Sequence, residues 1–328
     1  VTKLDQILAA QADEIEAIVA SFERNLDEVL RLAAQDVKKQ LRKRLEIQKG
    51  IVTGSAGNQA VLETVDELLE RAMAVRGYEG VLDRYIESFN GQFVSFDQVL
   101  KHINSELQWP LPTPNFDGPV KAELDSLKKT QRTLIDDTVG KAVLAAKGAA
   151  LTSVGALTPE QLAQSISEQL GKSIAQAESL ADTGISTFYR AINDKGFRII
   201  EADLPRFKIR YTYEGPLDKL NRPFCRKLQE KANAGKSWTR KQIDAMKNGQ
   251  IPNVWLTAGG YRCRHQWIVD TKDLNQQQEG KPAPNPKRVE AGRAIREKRG
   301  QVKIDRKPGR AAQAREQARK KVKERRAK

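Results

Sequence analysis

Apolar residues recur every three or four positions from the start of the chain. Leu4, Leu8, Ile15, Ile18, Phe22, Leu26, Val29, Ala33, Val37, Leu41 and Leu45 form one stripe, and charged residues occupy the opposite face. That period predicts a single amphipathic helix over residues 3–48. Its basic end, residues 38–44, suits the negative pole of the helix dipole. Residues 50–57 then read as a loop. A second helical block is predicted over 59–75, on Val61, Leu62, Val65, Leu68, Leu69 and Ala72. Beyond Gly77 and Gly80, the positions Val81, Leu82, Tyr85, Ile86 and Phe89 keep a helical spacing. Residues 93–107 read as another helix, capped by Ser95 or Asp97. Four prolines in 109–119 mark a linker or crossing loop.

Helix resumes over 120–150, alanine-rich in its second half. Thr158-Pro159-Glu160-Gln161 combines a capping threonine, a first-turn proline and a glutamine three residues after the cap, which is a strong helix start. It predicts a helix over 159–170, followed by another over 172–195 that stops at Gly196. The period then changes. Residues 197–202 and 206–213 read as strands. In the second, Phe207, Ile209, Tyr211 and Tyr213 alternate with Arg206, Lys208, Arg210 and Thr212, giving one apolar and one basic face. Such a basic face is either solvated or a contact for DNA or an acidic partner. A helix over 221–233 begins beyond Pro223. Ser237 or Thr239 caps another over 240–248, ended by Gly249. Residues 254–257 and 265–269 complete the predicted strands.

These elements predict a mainly α chain. A long-helix region, 1–157, is followed by a small α+β module, 158–270, and a basic tail, 271–328, that is unstructured or a solvated helix. Charge sharpens the division. The 328-residue chain has a net charge of +15, and residues 271–328 hold 20 Lys and Arg against 7 Asp and Glu, or +13. The preceding 270 residues are nearly neutral at +2. Segregated charge of this kind marks an arm for a polyanion. The basic residues expected to contact DNA are Lys287, Arg288, Arg293, Arg296, Lys298, Arg299, Arg306, Lys307, Arg310, Arg315, Arg319, Lys320, Lys321, Lys323, Arg325 and Arg326. No apolar run is long enough to span a membrane, and residues 1–10 lack a signal-peptide layout. Without an initiator methionine, a trimmed leader stays open.

The candidate chemistry is concentrated in two strings. One is Asp218-Lys219-Leu220-Asn221-Arg222-Pro223-Phe224-Cys225-Arg226, and the other is Gly259-Gly260-Tyr261-Arg262-Cys263-Arg264-His265-Gln266-Trp267. They hold the chain's only two cysteines and one of its two histidines, and Trp238, Trp255 and Trp267 fall between or within them. Buried thiols and tryptophans filling a small core explain this composition. A zinc site is the sharper alternative, with Cys225, Cys263 and His265 as ligands and Asp218 as the fourth. The spacing argues against it, because no C-x-x-C pair is present and Cys263 and His265 stand only two apart. The reading is therefore no metal, no cofactor and no catalytic residue. No paired carboxylates, Walker loop or nucleophile motif is present, and His102 lies in a distant helical segment.

The strings resemble the C-terminal module of the phage Mu F-like head morphogenesis family, the minor head proteins. In that family D-x-x-x-R-P-F-C-x-x-L is followed by G-G-Y-x-C-R-H-x-W. Here Asp218, Arg222, Pro223, Phe224, Cys225 and Leu228 match the first, and Gly259, Gly260, Tyr261, Cys263, Arg264, His265 and Trp267 match the second. The match spans roughly residues 165–270. A second form in the family places the histidine before the cysteine and adds another cysteine, which this chain lacks. The resemblance implies a minor structural protein of a tailed-phage head, located in the virion and in the host cytoplasm during assembly. It would act near the portal in capsid assembly, genome packaging or DNA ejection. The expected partners are the portal or major capsid protein, duplex DNA bound without sequence preference through the tail, and other copies of the chain through the long helices. The alternatives are a nuclease or other enzyme built on the Cys/His module, and a cellular nucleic-acid-binding adaptor.

Overall fold

The computed structural model describes residues 3–279 except 217, together with residue 294. The first helix, α1 (Lys3–Arg44), runs 42 residues on the predicted stripe and buries Leu8, Phe22, Leu26, Val29, Ala33, Val37 and Leu41. The segment read as a loop contains a hairpin of β1 (Ile47–Gln48) and β2 (Ile51–Val52). Its two turn residues, Lys49 and Gly50, both have positive φ, at 52° and 80°, which matches the twist of a two-residue hairpin. Asn58 fastens the hairpin: its side chain accepts from the Glu46 amide at 2.8 Å and donates to the Glu46 and Thr53 carbonyls, both at 2.9 Å.

The block predicted over 59–75 divides into α2 (Ala56–Leu62) and α3 (Val65–Val75), and α4 (Tyr78–Ser88) follows. Helix α5 (Gly91–Glu106) starts earlier than predicted, so Ser95 and Asp97 lie inside it and cap nothing. The reason is that Asn90 keeps helical dihedrals, and α4 passes into α5 almost without a break. Residues 109–117 cross as irregular chain to α6 (Pro119–Thr152).

The largest correction is α7 (Pro159–Asp203), one helix of 45 residues where two helices and a strand were predicted. Its start is the predicted capping box on Thr158 and Gln161. Gly171 and Gly196 do not interrupt it. Packing along α1 and α6, its two most extensive partners, outweighs the roughly 1 kcal/mol helix cost of a glycine. Residues 197–202 continue the helix with Phe197 and Ile200 buried three apart.

The small module hangs from the C-terminal part of α7. Strand β3 (Tyr211–Glu214) is shorter than predicted, although the burial alternation holds back to Phe207 and Ile209. It pairs antiparallel with β4 (Gln266–Val269), with Tyr211 opposite Val269 and Glu214 opposite Gln266. Between them come α8 (Pro223–Asn233), α9 (Arg240–Asp244) and α10 (Val254–Thr257). Thr239 caps α9 through a capping box. The predicted extension of α9 to 248 fails because Asn248 leaves the helix, donating to the Ala258 carbonyl at 2.9 Å and accepting from the Gln250 and Ile251 amides. Residues 254–257 are a single helical turn rather than a strand, set by Asn253 at φ 64°. The first residues assigned to the tail form α11 (Thr271–Gln278), which docks back: Asn275 donates to the Glu106 carbonyl at 2.8 Å. Among the described residues, no helix is long and apolar enough to cross a membrane.

Candidate functional site

Three elements bring the two strings together. Helix α8 carries Cys225, the loop before β4 carries Cys263 and His265, and β3 places Tyr213 beneath them. Cys225 and Cys263 are 2% and 3% exposed, and His265 is 2% exposed. The two Sγ atoms lie 3.8 Å apart, and Cys263 Sγ lies 3.6 Å from His265 Nδ1. The Tyr213 hydroxyl donates to Cys225 Sγ at 3.4 Å and sits 3.8 Å from Cys263 Sγ. Its ring stacks on His265, with centroids 5.1 Å apart and planes 3° apart.

Gly259 closes the cluster. Its backbone amide donates to Cys263 Sγ at 3.1 Å. A Cβ on this residue would stand 2.1 Å from Cys225 Sγ, so the sulfurs occupy the space a side chain would need. The hydrogen bond shared by the two sulfurs pulls Cys263 well below the ordinary thiol range and pushes Cys225 above it. Burial opposes the first shift and reinforces the second. His265 and the Arg190 guanidinium add to the lowering at Cys263.

Arg190, from the middle of α7, fixes the second string. It is 4% exposed. Its Nε donates to the His265 carbonyl at 2.9 Å, Nη1 to the Leu256 carbonyl at 3.2 Å, and Nη2 to the Cys263 carbonyl. Nothing in the spacing of the strings points to it. The available signal was a lone charge in the run Phe188-Tyr189-Arg190-Ala191-Ile192. Gly259 as a partner of the sulfurs was also missed, because a glycine pair reads as a turn.

Other predicted residues lie elsewhere. Asp218 is outside the cluster and accepts from Arg264 Nη2 at 2.5 Å. Although burial raises its pKa, that bond, the Leu220 amide and nearby positive charge hold its carboxyl below the usual value. Arg222 is the N-cap of α8 and Pro223 its first residue, and Tyr261 is half exposed. Phe224 packs at the core edge. Gly260 adopts φ 104°, and a Cβ there would meet the Gln250 side chain. Trp267 is buried and donates from Nε1 to the Val254 carbonyl at 3.3 Å. His102 is distant, 3.3 Å from Glu106 on its own helix. The sixteen basic residues from Lys287 to Arg326 proposed for DNA lie outside the described residues.

Beside the cluster is a cavity of about 350 Å³ between α1, α7 and the second string, lined in part by Gln11, Tyr189, Arg190, Cys263, His265 and Gln266. A buried polar chain crosses its floor. Asn193 donates to Gln266 at 3.1 Å, Gln266 to Gln11 at 3.4 Å, and Gln11 to Gln92 at 3.5 Å. The Tyr189 hydroxyl and His265 Nε2 are buried without a protein partner. Chemically, two adjacent sulfurs and an imidazole can hold a soft cation or form a disulfide. Their burial shields them from attack on a large substrate. No family profile, curated protein or solved structure matches this chain.

Proposed function

We propose that this chain is a minor structural protein of a tailed-phage head, acting near the portal in head assembly, genome packaging or DNA ejection. The observation that carries this reading is the ordered agreement of the two strings with the phage Mu F-like pattern. The residues shared with that pattern include Cys225, Cys263, His265 and Trp267, and all four are buried in one compact unit. A pattern whose members pack against one another is a fold signature, and it supports membership more strongly than scattered surface matches would. The long helices supply surfaces for the portal or capsid protein, and for self-association. The basic segment supplies sequence-independent contact with packaged DNA, since lysine and arginine neutralise phosphates and release counterions.

Detecting the protein in purified virions and in empty procapsids tests the assignment. Its presence in either is expected, and absence from both overturns it. The DNA contact has its own test. Residues 280–328 carry 19 Lys and Arg against 5 Asp and Glu. A chain ended after residue 279 keeps α11 and should lose duplex binding. The full chain should weaken by roughly a hundredfold or more between 50 and 200 mM salt. Unchanged binding after truncation defeats the DNA role.

A further inference from the structure

We infer that Cys225, Cys263 and His265 form a tetrahedral zinc site that clamps the two strings together. The geometry matches that ion. Zinc–sulfur bonds of about 2.3 Å and zinc–nitrogen bonds of about 2.0–2.1 Å give tetrahedral edges of about 3.8 Å between sulfurs and about 3.6 Å between sulfur and nitrogen. The observed Sγ–Sγ distance is 3.8 Å and the Cys263 Sγ–His265 Nδ1 distance is 3.6 Å. All three donor atoms lie within 4.8 Å of one another, so drawing the longest edge to the ideal asks for a side-chain shift of about 1 Å. The Tyr213 hydroxyl, 3.4 and 3.8 Å from the two sulfurs, offers a neutral oxygen for the fourth position.

Two independent features point the same way. The Gly259 amide donates to Cys263 Sγ at 3.1 Å, and an amide aimed at a sulfur stabilises a thiolate far more than a thiol. His265 Nε2 is buried without a partner and the residue lines the cavity. With Nδ1 bound to a metal, the imidazole proton sits on Nε2, the outer nitrogen that a ligating histidine uses as a donor. Binding balances simply. Two S–H bonds are exchanged for two Zn–S bonds, two protons leave to solvent, and the imidazole contributes a lone pair. The doubly charged ion and two thiolates make a neutral cluster, which tolerates burial. The short sequence spacing that argues against zinc does not keep the two donors apart, since Cys263 Sγ and His265 Nδ1 lie 3.6 Å from each other. Alternate side chains in the segment leading into β4 fall on one side, which brings both toward Cys225.

The full-length protein, purified in a non-thiol reductant and reconstituted with Zn(II) alone, should hold close to one zinc per chain by mass spectrometry of the metal. Co(II) in its place should give thiolate-to-cobalt charge-transfer bands and the intense visible bands of a tetrahedral ion. Cys225→Ser with Cys263→Ser should abolish both. Because that variant can lose its fold, the wild-type cobalt spectrum is decisive by itself. No bound zinc, a cobalt spectrum without sulfur bands, or a Cys225–Cys263 disulfide under reducing conditions each overturns the site. So does full zinc binding in the double variant.

Discussion

The helical region and the small module are held together by different physics. From α1 to α7 the core is a continuous seam of aliphatic and alanine side chains, threaded by a run of rings from Phe22 through Tyr85 and Phe89 to Phe188. The exposed faces of these helices are laced by ion pairs such as Lys147–Asp66 at 2.9 Å and Arg76–Asp36 at 2.6 Å. No single bond dominates, and surface pairs of this kind contribute little each. The module is built the other way. Its elements run 4 to 11 residues, too short to be stable by propensity. Its core relies on tryptophans packed between these short elements: Tyr211 meets Trp255 edge-on at 4.6 Å, and Trp238 meets Trp267 at 5.5 Å. Single polar side chains then fix its loops. Arg240 donates to Glu201 at 2.9 Å and lies 4.0 Å over the Trp255 ring. The seam spreads its stability over many residues, whereas the module rests on a few.

Substitutions should expose that asymmetry. The largest effect is expected at Arg190. Arg190→Leu strands three carbonyl acceptors in a buried setting, and should cost about 4 kcal/mol in chemical denaturation. A loss below about 1 kcal/mol would show that the loop has other supports. Next is Gly259→Ala, which drives a methyl into Cys225 Sγ and should cost about 2–3 kcal/mol, with altered thiol reactivity as an independent readout. The smallest effect has the opposite sign. A Cβ at Gly171, in the interior of α7, meets nothing within 4 Å. Gly171→Ala should therefore stabilise by roughly 0.5–1 kcal/mol, and a destabilised variant would mean that the seam is less forgiving than described.

The same asymmetry explains what the sequence made legible. A stripe such as Leu26, Val29, Ala33 and Val37 is a local signal, and α1 and α6 follow it closely. The capping boxes at Thr158 and Thr239 are local too, and both form. Gly196 misled because its role is not local. A Cβ there would lie 2.5 Å from the Phe96 ring, so this glycine admits a neighbouring aromatic instead of ending a helix. The strand-like composition of 197–202 gave way for the same reason: as the last turns of α7 it buries Phe197 and Ile200 against neighbouring elements. At the site, rare residues in order were enough to mark Cys225, Cys263, His265 and Trp267. Their convergence, and the part played by Arg190 some 70 residues away, depend on the tertiary path of the chain.

Helix α7 has a mechanical consequence. At 1.5 Å per residue its 45 residues span about 68 Å. Arg190 and Asn193 grip the module about two-thirds of the way along, and Thr158 lies about 48 Å from Arg190 at the start. The helix is therefore a lever with its handle in the Cys/His unit. A tilt of about 5° about the gripped residues would displace that start by about 4 Å. A load on the module would thus be carried along α7 into the seam it forms with α1 and α6.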